Sequence, residues 1–167
     1  MKGGDGEKQT NEIKIAIPLL DCLDIQGKTI TADALLTQRT LADYIVKTRK
    51  AHYHFTVKGN QKKLLEEVSS WFENVQWEPN YYTTTDKPQH GRDETRKIWV
   101  TTELNEHLDF PHVGQAFKIE RITHNRKYGK KTQEIAYGIT SKGPDLATPE
   151  EILKNNRQHW CIENSCH

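Results

Sequence analysis

Cysteine, long apolar runs and net charge are all scarce in this 167-residue chain. Its three cysteines do not form a disulfide framework, so a reducing, cytoplasmic compartment is expected. Cys161 and Cys166 stand five positions apart, which is not a usual spacing for zinc ligands. No apolar run approaches the roughly 18 residues that span a membrane, so a membrane is not expected among the partners. The hydrophobic fraction of 34% predicts a modest core.

Charge is nearly balanced overall, at +1, but it is unevenly distributed. Between Gln115 and Lys142, seven Lys and Arg residues stand against two Glu, a local net charge of +5. The stretch 1–10 is polar and contains glycine, which predicts a disordered lead-in before a single unit over 11–167. The basic stretch is the part of that unit best suited to contact phosphate groups.

Hydrophobic periodicity in the first half of the chain predicts alternating helices and strands. A short helix from about Pro18 is expected to end near Gly27, followed by a strand over Lys28–Ala32. TQRTLADYIVKTRK predicts an amphipathic helix, AHYHFTVKGNQ a second strand ending at Gly59, and KKLLEEVSSWFENV another helix. Strand–helix–strand–helix order with short links predicts an α/β fold with a parallel strand pair.

The character of the sequence changes after residue 80. Thr-rich, aromatic, alternating stretches between Asn80 and Ser141 predict a β-rich insertion, and NRKYGKK predicts a hairpin turn with Gly129 in it. A last helix is predicted from Thr148, because TPEE offers an N-cap, a proline at the first helical position and two acids.

Two stretches offer carboxylates in positions suited to metal chemistry. Asp33 follows the first strand directly, and ligands of parallel α/β sheets bind beyond the carboxyl ends of the strands. His159, Glu163 and His167 recur at intervals of four, so they share one face of a helix that could bring Glu163 near Asp33. The alternatives are an N-cap or loop acid for Asp33 and a solvated last turn for the helix, and the pattern leaves both open.

Three stretches offer groups that bind phosphates. Lys58, Asn60 and Gln61 follow the second strand, although Gly and Asn equally suit a plain turn with a helix N-cap. In HGRDETR, Arg92 and Arg96 suit bidentate phosphate binding, or surface ion pairs with Asp93 and Glu94. The hairpin turn carries four cations, which suit phosphate contact or protection of a sheet edge: Arg126, Lys127, Lys130 and Lys131.

Six motifs in order, ITADAL, QRTLA, FTVKGNQ, HGRDETR, YGITS and HWCIEN, resemble the insertion-sequence transposases of the ISAs type. This group includes the H-repeat-associated proteins and belongs to the DDE, ribonuclease H-like superfamily. The resemblance covers about residues 11–167 and implies a partial ribonuclease H-like core with a β-rich insertion over about 80–141. It also implies a cytoplasmic bacterial protein that acts on the insertion-sequence ends and target DNA.

The resemblance assigns Asp33 as the second acid of the catalytic triad and Glu163 as the third, with His159 and Asn164 in supporting positions. The family cofactor is Mg²⁺ or Mn²⁺, which these two acids would hold for DNA strand cleavage and transfer. The family's first Asp has no counterpart here, so the chain is expected to be inactive alone. A non-catalytic DNA-binding fragment and a degenerate remnant are the alternatives, and a homodimer of the full-length protein stays open.

Overall fold

The computed structural model describes residues 14–33 and 38–165, with only the backbone for residues 159–165. The predicted lead-in over residues 1–10 lies outside this range. Four helices are described: α1 over 14–21, α2 over Arg39–Asp43, α3 over Lys62–Asn74 and α4 over Pro149–Ser165. A π-helical turn, Tyr44–Thr48, continues α2, and a 3₁₀ turn, Gly59–Gln61, leads into α3. The strands are β1 Thr29–Ala32, β2 His52–Val57, β3 Asn80–Thr85, β4 Arg92–Thr101, β5 Gln115–Asn125 and β6 Lys130–Thr140.

The six strands form one mixed sheet in the order β1-β2-β6-β5-β4-β3. β1 and β2 are parallel, as the sequence predicts, and every other neighbouring pair in the sheet is antiparallel. The strands of the predicted insertion therefore continue the same sheet, because β6 returns to pair with β2. The hairpin predicted from NRKYGKK joins β5 and β6, with Asn125 opposite Lys130.

The two faces of the sheet carry separate cores. On one face, Leu41 of α2, Ile45 of the π-helical turn and Val68 of α3 pack against Tyr53 and Phe55 of β2. On the other face, α4 packs against β4 and β5. The result is a helix–sheet–helix arrangement in which both faces of β2 are covered, which explains its continuous burial from Tyr53 to Val57.

The first helix starts earlier than the sequence predicts. It already includes residue 14, so Pro18 lies within it and does not begin it. Ile17 and Leu20, three apart, pack against the core, and this packing outweighs the one hydrogen bond that a proline cannot donate. Gly27, with φ of +73°, forms the turn into β1 instead of ending the helix.

The last helix begins as the sequence predicts. Thr148 accepts a hydrogen bond from the backbone N–H of Glu151 at 3.3 Å, and its hydroxyl lies 3.3 Å from the Glu151 carboxylate. These contacts satisfy donors that the first turn of a helix leaves open, and Pro149 needs none. Within the described ranges, no helix is long and apolar enough to cross a membrane.

Candidate metal and nucleic-acid site

The carboxyl ends of β1 and β2 lie side by side. Because the strands are parallel, with Ala32 opposite Phe55, both leave the sheet at the same end. Asp33 follows β1 directly and is half-buried, whereas Lys58 follows β2 directly and is exposed. Side chains alternate between the two faces of a strand, so Asp33 continues the row that contains Thr31.

Helix α4 covers the face to which this row belongs. His54, which is opposite Thr31 in the sheet, donates from Nε2 to Oδ1 of Asn156 on α4 over 3.1 Å. His54 and Asn156 are each 1% exposed, so this contact is fully buried. Helix α4 also contacts β1 itself. Asp33 therefore continues the face of the sheet that α4 covers.

An apolar cluster holds the first half of α4 in place. Ile152 and Leu153 pack against four strand residues, Ile98, Val100, Phe117 and Ile119. The Phe117 ring stacks on His54, with 4.8 Å between ring centroids. Gly138 leaves room for this ring, because a Cβ there would collide with Phe117 and with the backbone oxygen of Phe55. The cluster and the His54–Asn156 contact together fix α4 on the sheet.

The predicted third acid lies in the last two turns of α4. The backbone of Glu163, His159 and Asn164 is helical, but their side chains lie outside what the structure describes. Among the side chains that are described, no group of three or more His, Cys, Asp and Glu residues could hold a metal ion. The pairing of Asp33 with Glu163 therefore remains a prediction.

The residues after β2 form a turn that leads directly into α3. Lys58 and Asn60 are exposed and Gln61 is half-buried. Gln61 occupies the N-cap position of α3 without a side-chain capping bond. These polar groups follow the strand next to β1 and leave the sheet at the same end as Asp33, as the strand order requires.

Arg96 is buried and is held in the fold by two carboxylates. Its side chain is 8% exposed and its guanidinium contacts Asp86 at 2.6 Å and Glu94 at 2.5 Å. A buried cation that already binds two carboxylates cannot leave them for a phosphate without a large cost in desolvation. Arg96 thus forms the expected ion pair with Glu94, and its second partner is Asp86, whereas its contact with DNA stays a prediction. The sequence HGRDETR could not show whether its arginines bind phosphate or form ion pairs, because the same charged groups serve both purposes.

Asp86 connects this buried cation to α4. Its carboxylate also accepts a hydrogen bond from Arg157 of α4 at 3.0 Å. Partial burial raises the pKa of Asp86, but the hydrogen bond from Arg96 and the charges of both arginines outweigh that effect and lower it. The tip of the β3–β4 hairpin is thereby tied to the middle of α4.

Three neighbouring grooves, which share lining residues, lie on the α4 face of the sheet. A groove of about 770 Å³ lies between β3 and α4 and includes Lys154 and Arg157. Arg157 is shared with a second groove of about 660 Å³ at the β3–β4 turn, which includes Lys87 and Arg92. Arg92 is shared with a third of about 490 Å³ over the outer ends of β4, β5 and β6, which includes Lys130. We call these three neighbouring grooves together the α4-face groove.

The α4-face groove unites predicted cations with others that the sequence analysis did not select. Arg92 and Lys130 were predicted, but Lys87, Lys154 and Arg157 were not. The spacing of Lys154 and Arg157, three apart on the predicted helix, is the signal that could have found them. Carboxylates of Asp86, Glu94, Glu134 and Glu150 also line the groove, so it is charged but not uniformly positive.

The remaining predicted cations lie at the tip of the β5–β6 hairpin. Arg126 is exposed and its Nε contacts Asp93 at 2.7 Å. Lys127 and Lys131 are exposed, and Lys131 is opposite His124 in the sheet. By strand alternation Lys131 lies on the face opposite Lys130, so a single flat surface cannot contact both directly.

Comparison with known proteins identifies the class of this domain. A family model described as a transposase DDE domain matches residues 5–167, and the chain therefore belongs to that family. Membership implies a ribonuclease H-like fold, DNA as a partner and dependence on divalent metal in general. The predicted family and fold class are confirmed.

The relatives lead to the same group. The chain is 35% identical to "Putative transposase YncI" of Escherichia coli O157:H7, over 96% of the chain and 42% of that protein. It is 32% identical to "H repeat-associated putative transposase YhhI" of Escherichia coli K12, over 96% of the chain and 44% of that protein. The chain thus spans less than half the length of these relatives. No solved structure gives a significant match to it.

Proposed function

We propose that the chain is part of the catalytic domain of a DDE transposase that cleaves and joins DNA strands during insertion-sequence transposition. In this proposal Asp33 and Glu163 are the acids that hold divalent metal, and His159 and Asn164 support them from the same helix. Residues 11–167 act as one unit, with the strands over about 80–141 as the insertion. The chief support is that α4 covers the sheet face to which Asp33 belongs and reaches both β2 and β1.

Helical geometry supports the convergence of the two acids. Glu163 comes seven residues after Asn156, so the two belong to the same stripe of α4. Seven residues advance about 10.5 Å along a helix axis. Since Asn156 meets β2 and α4 also contacts β1, this advance is compatible with Glu163 reaching the end of β1 that carries Asp33.

The donors present fit magnesium or manganese. Asp33 offers hard carboxylate oxygens at a strand end, half-buried, and Glu163 would offer a second carboxylate. Bound divalent cations would supply activation of water or a 3′-hydroxyl and stabilisation of the leaving oxygen of a phosphodiester. Asn60 and Gln61, which follow the neighbouring strand, would orient the DNA strand, and Lys58 would neutralise a phosphate.

The α4-face groove is the surface that we propose for the DNA backbone. It lies on the same face as α4 and carries Lys87, Arg92, Lys130, Lys154 and Arg157. Each phosphate that a Lys or Arg neutralises releases counterions, so the affinity falls with salt. The acids among these cations would hold the backbone away from the groove floor and limit non-specific binding.

Metal binding tests the pair of acids. Mn²⁺ titrated into the chain and followed by the resonance signal of the free ion should show a site that Asp33→Asn and Glu163→Gln each weaken at least tenfold. Asp24→Asn is the matched control, because Asp24 is an exposed acid before the opposite end of β1. Equal affinity in all four proteins would contradict the proposed site.

Whether the chain alone cleaves DNA is a separate question from whether it binds metal. Two acids out of three leave one cation poorly held, because Mg²⁺ gives up its hydration shell reluctantly. We therefore expect no nicking of supercoiled plasmid with Mg²⁺ or Mn²⁺. Metal-dependent nicking that Asp33→Ala and Glu163→Ala both abolish would show instead that the chain is catalytically complete. DNA binding without any metal site would favour the non-catalytic alternative.

A further inference from the structure

The turn between β5 and β6 has a defined shape that two of its residues impose. The side-chain oxygen of Asn125 accepts hydrogen bonds from the backbone N–H groups of Lys127 at 3.0 Å and Tyr128 at 3.4 Å. Gly129 has φ of +63°, a conformation that other residues adopt at a cost. An asparagine and a glycine at these positions are what such a turn requires.

A second contact braces the turn. The backbone N–H of Arg126 donates to the carbonyl oxygen of Gly91 at 2.8 Å. The side chain of Arg126 contacts Asp93 at 2.7 Å. Both partners belong to the region where β4 begins, so the tips of the two hairpins are joined. The β5–β6 tip is therefore held in place and is not a loose loop.

Tyr128 is not needed for this geometry, yet it is presented at the tip. Its side chain is 73% exposed, the largest exposed fraction among the large hydrophobic residues that the structure describes. The only ring contact described for it is with the Lys127 ammonium, 5.5 Å from the ring centroid. Neither the turn nor the sheet explains an aromatic ring here, because turn positions favour small polar residues.

The position of the tip relative to the α4-face groove indicates a ligand. Asn125 and Lys130, which flank the turn, both line the outer part of that groove. A DNA strand whose phosphates contact Lys130 would have its bases close to the Tyr128 ring, because Tyr128 stands two residues before Lys130 at the same hairpin tip. Aromatic rings beside cations are the combination with which proteins bind the bases and the backbone of single-stranded DNA together.

We propose that Tyr128 is a base-stacking residue, which holds one unpaired base of a DNA strand lying in the α4-face groove. The inference rests on the proposed function, since it takes DNA as the ligand of that groove. An unpaired base has an open face for the ring, whereas a paired base is already stacked on its neighbours and must be extruded first. The tip thus selects for DNA that is single-stranded or opened at the point of contact.

The test compares the binding of two DNA probes by the unaltered chain and by three variants. A fluorescent thymidine single strand and a blunt duplex of equal length are titrated with the full chain at fixed low salt. Tyr128→Ala removes the ring and Tyr128→Phe keeps it. Tyr81→Ala is the matched control, because Tyr81 is 51% exposed and also lies beside a lysine, Lys97, but belongs to β3 on the opposite face.

Tyr128→Ala should weaken single-strand binding by at least about fivefold, the lower end of what stacking of one base provides. Its duplex affinity should stay within about twofold, because phosphate contacts dominate duplex binding. Tyr128→Phe and Tyr81→Ala should bind both probes like the unaltered chain. Equal effects of Tyr128→Ala on both probes, or no effect on either, would overturn the stacking role and leave the groove proposal intact. If the unaltered chain binds neither probe, the groove proposal fails as well.

Discussion

The inner and outer halves of the α4 face of the sheet are built on the same strands but have opposite character. The inner half of β4 and β5 carries Ile98, Val100, Phe117 and Ile119, all buried beneath α4. The outer half continues the same rows with Arg92, Glu94, Arg121 and Thr123, which line an open groove. The hydrogen-bonded ladder runs without interruption through both. The ladder therefore fixes the strands, and the side chains alone decide which part receives a helix and which part stays open for a ligand.

The largest expected effect lies in the inner half, at Gly138. Gly138→Ala places a Cβ against the Phe117 ring and the Phe55 backbone, so we expect a loss of about 3 kcal/mol in the free energy of unfolding. Denaturant titration measures it. Gly59→Ala is the control, because a Cβ at Gly59 meets nothing within 4 Å. Similar losses for both variants would show that Gly138 is not needed for this packing.

The buried hydrogen bond between β2 and α4 should have the next largest effect. His54→Phe keeps a ring on Phe117 but leaves the Asn156 oxygen without this donor, at a cost of about 2 kcal/mol. Asn156→Leu should cost a similar amount. The double variant should lose less than the sum of the two, by at least about 0.5 kcal/mol. Simple additivity in the unfolding free energies would mean that the two side chains do not act as a pair.

Asp86, at the boundary between the halves, should make stability depend on pH. Asp86→Asn weakens the contacts with Arg96 and Arg157 and should cost about 1 kcal/mol at neutral pH, because solvent screens this partly exposed carboxylate. The pKa of Asp86 is lowered in the fold, so its contribution is present above its ordinary value of 3.8 and is lost as the pH falls below it.

Unfolding curves of the unaltered chain and Asp86→Asn should therefore converge as the pH falls through about 4 and below. Asp145→Asn, which alters an exposed acid in the loop before α4, is the control. A stability difference between the unaltered chain and Asp86→Asn that does not change with pH would show that the ion pairs of Asp86 do not cause it.

In the outer half the effects on stability should be smallest and those on DNA binding largest. Arg92→Gln and Lys130→Gln should each change the unfolding free energy by less than about 0.5 kcal/mol. Each should lower DNA affinity and reduce the slope of log affinity against log salt by about one. Lys28→Gln is the control, since Lys28 is exposed at the other end of β1. A destabilised fold, or an unchanged salt slope, would contradict the division into two halves.

The sequence was sufficient for the parts of the fold that depend on local periodicity and capping. The parallel pair β1–β2, the β5–β6 hairpin and the start of α4 at Pro149 all follow from such patterns. Pro18 was misleading because tertiary packing of α1 outweighed a local rule.

The site was predictable only where chain position determined it. The position of Asp33 directly after β1 could be predicted, whereas its role as a metal ligand stays a prediction. The burial of Arg96 could not be foreseen, because its partner Asp86 is ten residues away, directly after the neighbouring strand β3. Nor could the α4-face groove, since it is formed by α4 packing across strands that are distant in sequence.

The convergence of Asp33 and Glu163 on one metal ion is the central claim, and affinity cleavage by iron tests it most directly. Fe²⁺ replaces Mg²⁺ at oxygen-ligand sites, and with ascorbate and peroxide it cuts the backbone only close to the bound ion. Mass spectrometry should find cuts near both residue 33 and residue 163, and excess Mg²⁺, Asp33→Asn or Glu163→Gln should suppress both sets together. Cuts near only one of the two residues, or sets that the variants suppress independently, would contradict a shared site.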